Sequence, residues 1–314
     1  MISALGIDIG GTQLRAAVVA PDGRIVDRDR RPTPAEDPTS LVETVVELIR
    51  DVHDRHGRDL PVGMGIAGLV TADGTVRYGP NIGIRDLALA AHLRDAAGAE
   101  VVVANDASVA ALGEQRVGAG RDHRDLVLVT LGTGVGGGVV VAGRLVTGAG
   151  GFAGELGHIV VSEGGRPCPC GNRGCVEAYA SGSAIGALAR DRLVDPTTVT
   201  SLRELDQVMG PDVTAAARAG DAVATEVLTE AGTWLGVALA NVVNVLDPEV
   251  VLLGGGAAEA AIRWMRPAAQ DAMASHLVGS RWRTAPPILL AELGDDAGVV
   301  GAAMLALDTF AADA

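Results

Sequence analysis

The sequence of 314 residues contains no lysine, so all 25 of its basic residues are arginine. P-loop enzymes and protein kinases place a lysine on the phosphates of ATP, and Schiff-base and pyridoxal phosphate enzymes need a lysine amine. The sequence therefore excludes these mechanisms. Aromatic residues are also scarce, at 2% of the chain, so aliphatic side chains and alanine must build the hydrophobic core.

Acidic residues outnumber basic residues, 39 to 25, and give the chain a net charge of -14. Nucleic-acid binding needs concentrated positive charge, so we expect no nucleic-acid partner. The longest uncharged segment, 126–143, is broken by glycines and does not resemble a membrane span, and the N-terminus lacks the cationic region of a signal peptide. These features predict a cytoplasmic protein with no membrane partner.

Short apolar segments alternate with helical patterns along the whole chain. In the helix that Pro38 opens, for example, Leu41, Val45, Leu48 and Val52 fall on one face. This alternation predicts an α/β fold with largely parallel sheets. The predicted strands cover 2–9, 13–20, 24–30, 62–66, 101–104, 126–131, 139–142, 250–253 and 288–291, and the main helices cover 38–52, 87–97, 108–116, 234–245 and 299–307.

One arrangement, a buried strand followed by a glycine and threonine turn and a returning strand, occurs twice. The first copy is Asp8-Ile9-Gly10-Gly11-Thr12 and the second is Leu131-Gly132-Thr133-Gly134, where we expect the turn to continue through Gly136, Gly137 and Gly138 before the strand returns. Glycines let backbone N–H groups approach phosphate oxygens, and each threonine adds a hydroxyl. The carboxylate of Asp8 is a candidate ligand for Mg²⁺. Either turn alone is weak support for a phosphate site, but the pair is much stronger.

The three cysteines lie close together and follow a histidine. His158, Cys168, Cys170 and Cys175 supply one imidazole and three thiols, which is a tetrahedral zinc set with no position left for a catalytic water. We therefore predict a structural Zn²⁺ site. The alternative is three incidental thiols and a buried histidine.

These motifs carry a resemblance to a known family. The paired glycine turns resemble the actin-like ATPase superfamily, whose two duplicated halves close on ATP. Gly-Glu-Leu-Gly-His at 154–158, the Cys-x-Cys-Gly-x-x-Gly-Cys-x-Glu sequence at 168–177 and Ala-Asn-Asp-Ala at 104–107 are similar to the ROK family, and within it to the bacterial glucokinases. The resemblance implies a duplicated actin-like (ribonuclease H-like) fold with two lobes and a cleft. It places residues 1–117 and the C-terminal helix 297–314 in the small lobe and residues 118–296 in the large lobe.

The resemblance also implies an activity, the transfer of the ATP γ-phosphoryl group to the 6-hydroxyl of glucose, with Mg²⁺ as cofactor and a dimer or tetramer as the assembly. Asp106 matches the catalytic base, although an aspartate at the start of a helix is otherwise an ordinary N-cap. The implied sugar ligands are Gly68, Asn81, Asn105, Asp106, Glu155, His158 and Glu177. The implied nucleotide residues are Asp8, Gly10, Gly11, Thr12, Thr133 and Gly134, with Gly254, Gly255 and Gly256 on the adenosine side.

Two positions depart from the family pattern: Gln13 stands where lysine is usual, and Ile84 stands where tryptophan is common. Other hexoses and N-acetylhexosamines stay open as substrates, and polyphosphate stays open as an alternative donor. The rival from another class is a sugar-responsive repressor. Family repressors carry a DNA-binding domain before the first phosphate strand, and here Asp8 already belongs to that strand.

Overall fold

A computed structural model describes residues 3–34, 37–57, 60–79 and 82–310 of the chain. The chain divides into two compact units. One contains Met1–Arg124, Gly138–Gly154 and Glu292–Ala314, and the other contains Asp125–Gly137 and Glu155–Ala291. The division into lobes at residues 117 and 296 stays a prediction.

Strands and helices alternate through most of the described chain, as the sequence predicts. The strands are β1 (Ala4–Ile9), β2 (Gln13–Val19), β3 (Ile25–Pro32), β4 (Val62–Ile66), β5 (Leu69–Val70), β6 (Val76–Gly79), β7 (Ile84–Leu87), β8 (Val101–Asn105), β9 (Leu126–Leu131), β10 (Val135–Val141), β11 (Arg144–Leu145), β12 (Val250–Gly254) and β13 (Ile288–Leu290). The helices are α1 (Pro38–His56), α2 (Leu89–Ala97), α3 (Asp106–Val117), α4 (Glu177–Ala180), α5 (Gly182–Arg192), α6 (Gly210–Arg218), α7 (Ala222–Leu246), α8 (Gly256–His276) and α9 (Ala297–Phe310).

Two five-stranded sheets have the same construction, which confirms the internal duplication. Their strand orders are β3-β2-β1-β4-β8 and β11-β10-β9-β12-β13. In the first sheet β1 pairs antiparallel with β2 and parallel with β4, and β4 pairs parallel with β8. In the second, β12 pairs parallel with both β9 and β13. In each sheet the glycine turn therefore follows a central strand that has a parallel neighbour.

Helix α1 shows how the local sequence sets these elements. Asp37 caps its N-terminus by accepting a hydrogen bond of 2.9 Å from the Thr39 N–H, and Pro38 occupies the first turn, where no backbone donor is needed. The apolar face that the sequence predicts, from Leu41 to Val52, is buried against the first sheet. Helix formation here follows from the cap and from this apolar face.

The second glycine turn is shorter than the sequence predicts. Gly136, Gly137 and Gly138 were expected to extend the turn, but they lie inside β10. A Cβ at Gly138 would lie 2.4 Å from the Cβ of Ala111 and 2.7 Å from the Ala107 carbonyl oxygen. Glycine at this position therefore permits close packing of α3 on β10, and the prediction of a long turn was wrong.

A small three-stranded sheet, in the order β5-β6-β7, was not predicted. Its strands are only two to four residues long, and Tyr78 in β6 is exposed, so no apolar run identified them. Ile84 begins β7 and is buried in the core of its unit. Among the described residues, no helix combines the length and apolarity that crossing a bilayer requires.

Candidate active site

Two acidic side chains lie at the carboxyl edge of the first sheet. Asp8 is near the end of β1, and Asp106 directly follows β8. Strand β4 runs parallel between them, and its Gly65 is in register with Asp8. A Cβ at Gly65 would lie 3.9 Å from Asp8 Oδ1 and 3.4 Å from the Cα of Asp106. The strand between the two acids thus presents no side chain, in the region where α/β folds bind ligands.

The surroundings of Asp8 disfavour its charge. Burial, and secondarily the nearby negative charge of Asp106, raise the pKa of Asp8 to about 6, while Arg15 opposes this rise. Arg15 is the direct cross-strand partner of Asp8, and its guanidinium also pairs with Asp295 at 3.2 Å. The sequence analysis missed Arg15, although the antiparallel register across the first glycine turn could have identified it.

Asn105, rather than Asp106, caps helix α3. Its Oδ1 accepts a hydrogen bond of 3.1 Å from the Ser108 N–H, and its Nδ2 donates one of 3.2 Å to the Gly68 carbonyl. Asp106 is half-buried at the first helical position, and burial raises the pKa of its carboxyl group against the lowering effect of nearby hydrogen bonds. The carboxyl of Asp106 is therefore not needed as the cap and is available for chemistry.

The first glycine hairpin presents its turn to solvent. The Gly10 N–H donates to the Gln13 carbonyl at 3.0 Å and closes the turn, and Gly11, Thr12 and Gln13 are exposed. The Thr33 hydroxyl donates to the Gly10 carbonyl at 2.8 Å and holds the turn against the start of the following segment. The Thr12 hydroxyl and the turn are accessible to an anion.

The second hairpin, in the other unit, closes with a tighter turn. The Gly132 N–H donates to the Gly134 carbonyl at 3.0 Å, and Thr133 is exposed. Behind it, Gly255 has a φ of 85° and precedes α8, and a Cβ there would lie 2.5 Å from the Leu131 carbonyl oxygen. The structure therefore brings the predicted adenosine loop, Gly254 to Gly256, next to the strand that leads into this turn.

The four predicted metal ligands form one cluster. The ligand atoms of His158, Cys168, Cys170 and Cys175 all lie within 4.8 Å of one another. The Cys168 Sγ is 3.7 Å from His158 Nδ1, and the Cys170 Sγ is 3.7 Å from the Cys175 Sγ. These separations and the one-imidazole, three-thiol donor set fit a tetrahedral zinc ion with ligand bonds of about 2.0 to 2.3 Å.

Two predicted sugar ligands, Glu155 and Glu177, lie beside this cluster, and a third lies outside the described residues. The Nε2 atom of His158 is 3.8 Å from Glu155 Oε2. The Glu177 carboxylate accepts a hydrogen bond of 2.9 Å from the Val135 N–H, a contact that the sequence did not indicate. Asn81, predicted to bind the sugar, lies outside the described residues.

The duplicated sheets, each with a glycine turn after a central strand, define a two-lobe protein of the actin-like ATPase fold. The ROK family model matches residues 4–309. The chain belongs to the ROK family.

Comparison with individual relatives identifies the class of enzyme. The chain is 37% identical over 309 residues to a glucokinase from Streptomyces coelicolor, with 96% of each chain covered. It is 37% identical to a ROK glucokinase from Streptomyces griseus solved with glucose and AMPPNP, which has a TM-score of 0.81 and coverage of 98% of this chain and 99% of that one. An N-acetylmannosamine kinase from Shigella boydii is 32% identical over 311 residues, with 97% and 98% covered. The chain is an ATP-dependent hexose kinase.

Proposed function

We propose that this protein is a glucokinase that transfers the γ-phosphoryl group of ATP to the 6-hydroxyl of glucose. The observation that carries the proposal is the half-buried Asp106 carboxyl, which lies beside Asp8 at the carboxyl edge of parallel strands and takes no part in capping α3. Glucose is proposed as the acceptor because glucokinases cover nearly the full chain at 37% identity, one of them solved with glucose and AMPPNP.

Asp106 is proposed to act as the general base. A carboxylate at this position accepts the proton of the 6-hydroxyl as that oxygen attacks the γ-phosphorus and the bond to the ADP oxygen breaks. Burial raises the pKa of Asp106, and a higher pKa makes a carboxylate a stronger base near neutral pH. Asn105 keeps Asp106 in place because it caps the helix that begins at Asp106 and bonds to the Gly68 carbonyl.

The donor phosphates are proposed to bind both glycine hairpins. The chain has no lysine to place at these turns. The hydrogen-bond donors available there for phosphate oxygens are the turn amides and the hydroxyls of Thr12 and Thr133. Asp8 fits a role as Mg²⁺ ligand, since a cation stabilises the charged form of a half-buried carboxylate that lies beside a second acid. When bound, Mg²⁺ neutralises the charge that develops on the phosphates.

The sugar hydroxyls are proposed to bind Asn105, Asp106, Glu155, His158 and Glu177, along the backbone at Gly68. His158 fits two roles, with Nδ1 toward the cysteine ligands and Nε2 toward Glu155. His158 and the three cysteines would hold zinc, and with Nδ1 in that role the Nε2 atom of His158 would carry the proton and donate it to a sugar hydroxyl.

A second candidate substrate is an N-acetylhexosamine. It is favoured by the N-acetylmannosamine kinase that covers 97% of this chain at 32% identity. Such a kinase uses the same base and phosphate sites and differs in the part of the sugar pocket that receives the 2-substituent.

Replacement of Asp106 tests the proposed mechanism. We expect Asp106→Asn to lower the turnover of glucose by about 10²- to 10⁴-fold, the usual contribution of a general base, while glucose affinity changes only a few-fold. Wild-type protein should convert glucose and ATP to glucose 6-phosphate and ADP, measured by phosphorus NMR and a coupled ADP assay. A matched control is Asp122→Asn, an exposed acid in the same unit. Near-normal turnover in Asp106→Asn would contradict the proposed role of Asp106 as general base.

A further inference from the structure

Val135, which follows the second glycine turn, contacts both segments that carry the predicted metal ligands. The Val135 N–H donates to Glu177 Oε2 at 2.9 Å, and Glu177 lies two residues after the ligand Cys175. On the other side a Cβ at Gly157 would lie 2.1 Å from the Val135 carbonyl oxygen, and Gly157 directly precedes the ligand His158. The backbone N–H and C=O groups of Val135 therefore each contact a segment that carries predicted metal ligands.

The Glu177 carboxylate joins the two features directly. Its Oε2 atom lies against the turn itself, because a Cβ at Gly134 would be 2.5 Å from that oxygen. Its Oε1 atom is 3.5 Å from the Sγ of Cys168. One side chain thus touches a metal ligand with one oxygen and the glycine turn with the other.

The backbone around Glu177 is tied to both metal-binding segments. The Val176 N–H donates to the Ile159 carbonyl at 2.9 Å, and the Ala178 N–H donates to the Cys175 carbonyl at 3.0 Å. Ile159 is the neighbour of the ligand His158. A metal ion that fixes His158 and Cys175 therefore fixes the start of α4, and with it the position of the Glu177 carboxylate.

We propose that Glu177 is a positioning residue through which the metal cluster holds the second hairpin in the conformation that receives the donor phosphates. This inference rests on the proposed role of that hairpin in nucleotide binding. It gives Glu177 a function toward ATP that is separate from its proposed contact with the sugar. It also makes the metal site a support for the donor site as well as for the acceptor site.

The physical basis of the effect is preorganisation. A buried N–H that loses its acceptor costs free energy, so the peptide that joins Gly134 and Val135 must move to find another partner or water. The amides of Gly132 to Gly134 then have to be ordered again when the nucleotide binds, and that cost lowers affinity.

Hydrogen exchange of the metal-loaded, ligand-free protein tests the inference without any measurement of activity. In Glu177→Ala we expect amides 132–137 to exchange about tenfold faster than in the wild type, as loss of one charge-assisted hydrogen bond implies. Glu177→Gln retains a carbonyl oxygen for the Val135 N–H and should keep most of the protection. Glu163→Ala, which removes an exposed carboxylate from the same loop, is the matched control. Metal content is measured for each variant.

Nucleotide affinity provides the second readout. The Kd of AMPPNP with Mg²⁺ should rise about tenfold in Glu177→Ala and stay within about twofold in Glu177→Gln and Glu163→Ala. Wild-type protein stripped of metal by a chelator should show the same faster exchange at 132–137. A residue that only contacts sugar would instead alter glucose affinity and leave both hairpin exchange and AMPPNP affinity unchanged.

Two outcomes overturn the inference: unchanged exchange at 132–137 in Glu177→Ala, or equal loss of protection in the alanine and glutamine variants. Failure of the proposed function gives a different signature. In that case wild-type protein forms no sugar phosphate from ATP, whatever the exchange of the hairpin.

Discussion

Asp8 shows how strongly one side chain can depend on its neighbours. An aspartate in water is fully ionised at neutral pH, but burial and the adjacent Asp106 raise the pKa of Asp8 to about 6. Arg15, directly across the hairpin, acts in the opposite direction. The residue proposed to hold Mg²⁺ is therefore ionised only above the mildly acidic range.

A pH profile tests this property of Asp8. The kcat/KM for ATP should fall as the pH is lowered through about 6, because a protonated carboxyl cannot hold Mg²⁺. Arg15→Gln removes the charge that lowers the pKa of Asp8, so the acidic limb should move to higher pH. Kinetics between pH 5 and 8.5 measure both. An acidic limb in the same place in wild type and Arg15→Gln contradicts the assignment.

The raised pKa of Asp8 also leads to a prediction about the stability of the folded protein. The ordinary pKa of an aspartate, 3.8, applies to Asp8 in the unfolded chain, and the pKa in the folded protein is about 6, so the folded protein binds the Asp8 proton more tightly. The contribution of Asp8 to the free energy of unfolding therefore decreases as the pH rises from 3.8 to about 6. Asp8→Asn should therefore be more stable than wild type at pH 8 by about 1 to 2 kcal/mol, although it loses activity. Urea denaturation at pH 8 and pH 4.5 checks this, and a gain that is as large at pH 4.5 would contradict it.

At the scale of elements, the sequence predicted strands and helices well where an apolar pattern extends over five or more residues. The apolar face of α1 and the bounds of β9 follow directly from the spacing of aliphatic side chains, and both predictions are confirmed. The glycines at 136–138 were misassigned because their place in β10 depends on the close packing of α3, which no local pattern encodes. The short strands β5, β6 and β7 lack a periodic pattern altogether.

The cap of α3 is a further element-scale contact with a measurable effect. Asn105→Ala removes the acceptor for the Ser108 N–H and should lower the free energy of unfolding by about 1 to 2 kcal/mol. Asn105→Asp keeps that acceptor but loses the donor to the Gly68 carbonyl, so it should retain most of the stability. Chemical denaturation of both variants measures the difference. Equal stability of Asn105→Ala and wild type would remove the capping role.

At the scale of the whole molecule, the sequence indicated the duplication, the family and the clustering of His158 with the three cysteines, because each rests on short and spaced motifs. It could not indicate the contact between Glu177 and Val135, which are 42 residues apart and meet only after the second sheet and the metal loop have formed. Arg15 was missed for a related reason, since its role arises from strand register rather than from a motif.

The metal cluster supports a prediction for the whole chain. Purified protein should contain about one zinc ion per chain, and Cys170→Ala should lose it, lower the melting temperature and weaken glucose binding through His158. Asn172→Ala, an exposed neighbour in the same loop, is the control. Metal analysis, thermal unfolding and glucose titration measure the three effects. Full zinc occupancy in Cys170→Ala would refute the ligand set.

The most direct test of the account is the comparison of acceptor sugars. ADP release with Mg²⁺ and ATP should be measured across glucose, mannose, fructose, N-acetylglucosamine and N-acetylmannosamine, with kcat/KM determined for each. The account predicts the highest kcat/KM for glucose, by at least about tenfold, with glucose 6-phosphate as the product. A higher kcat/KM for N-acetylmannosamine, or no ADP release with any of the five sugars, would contradict it.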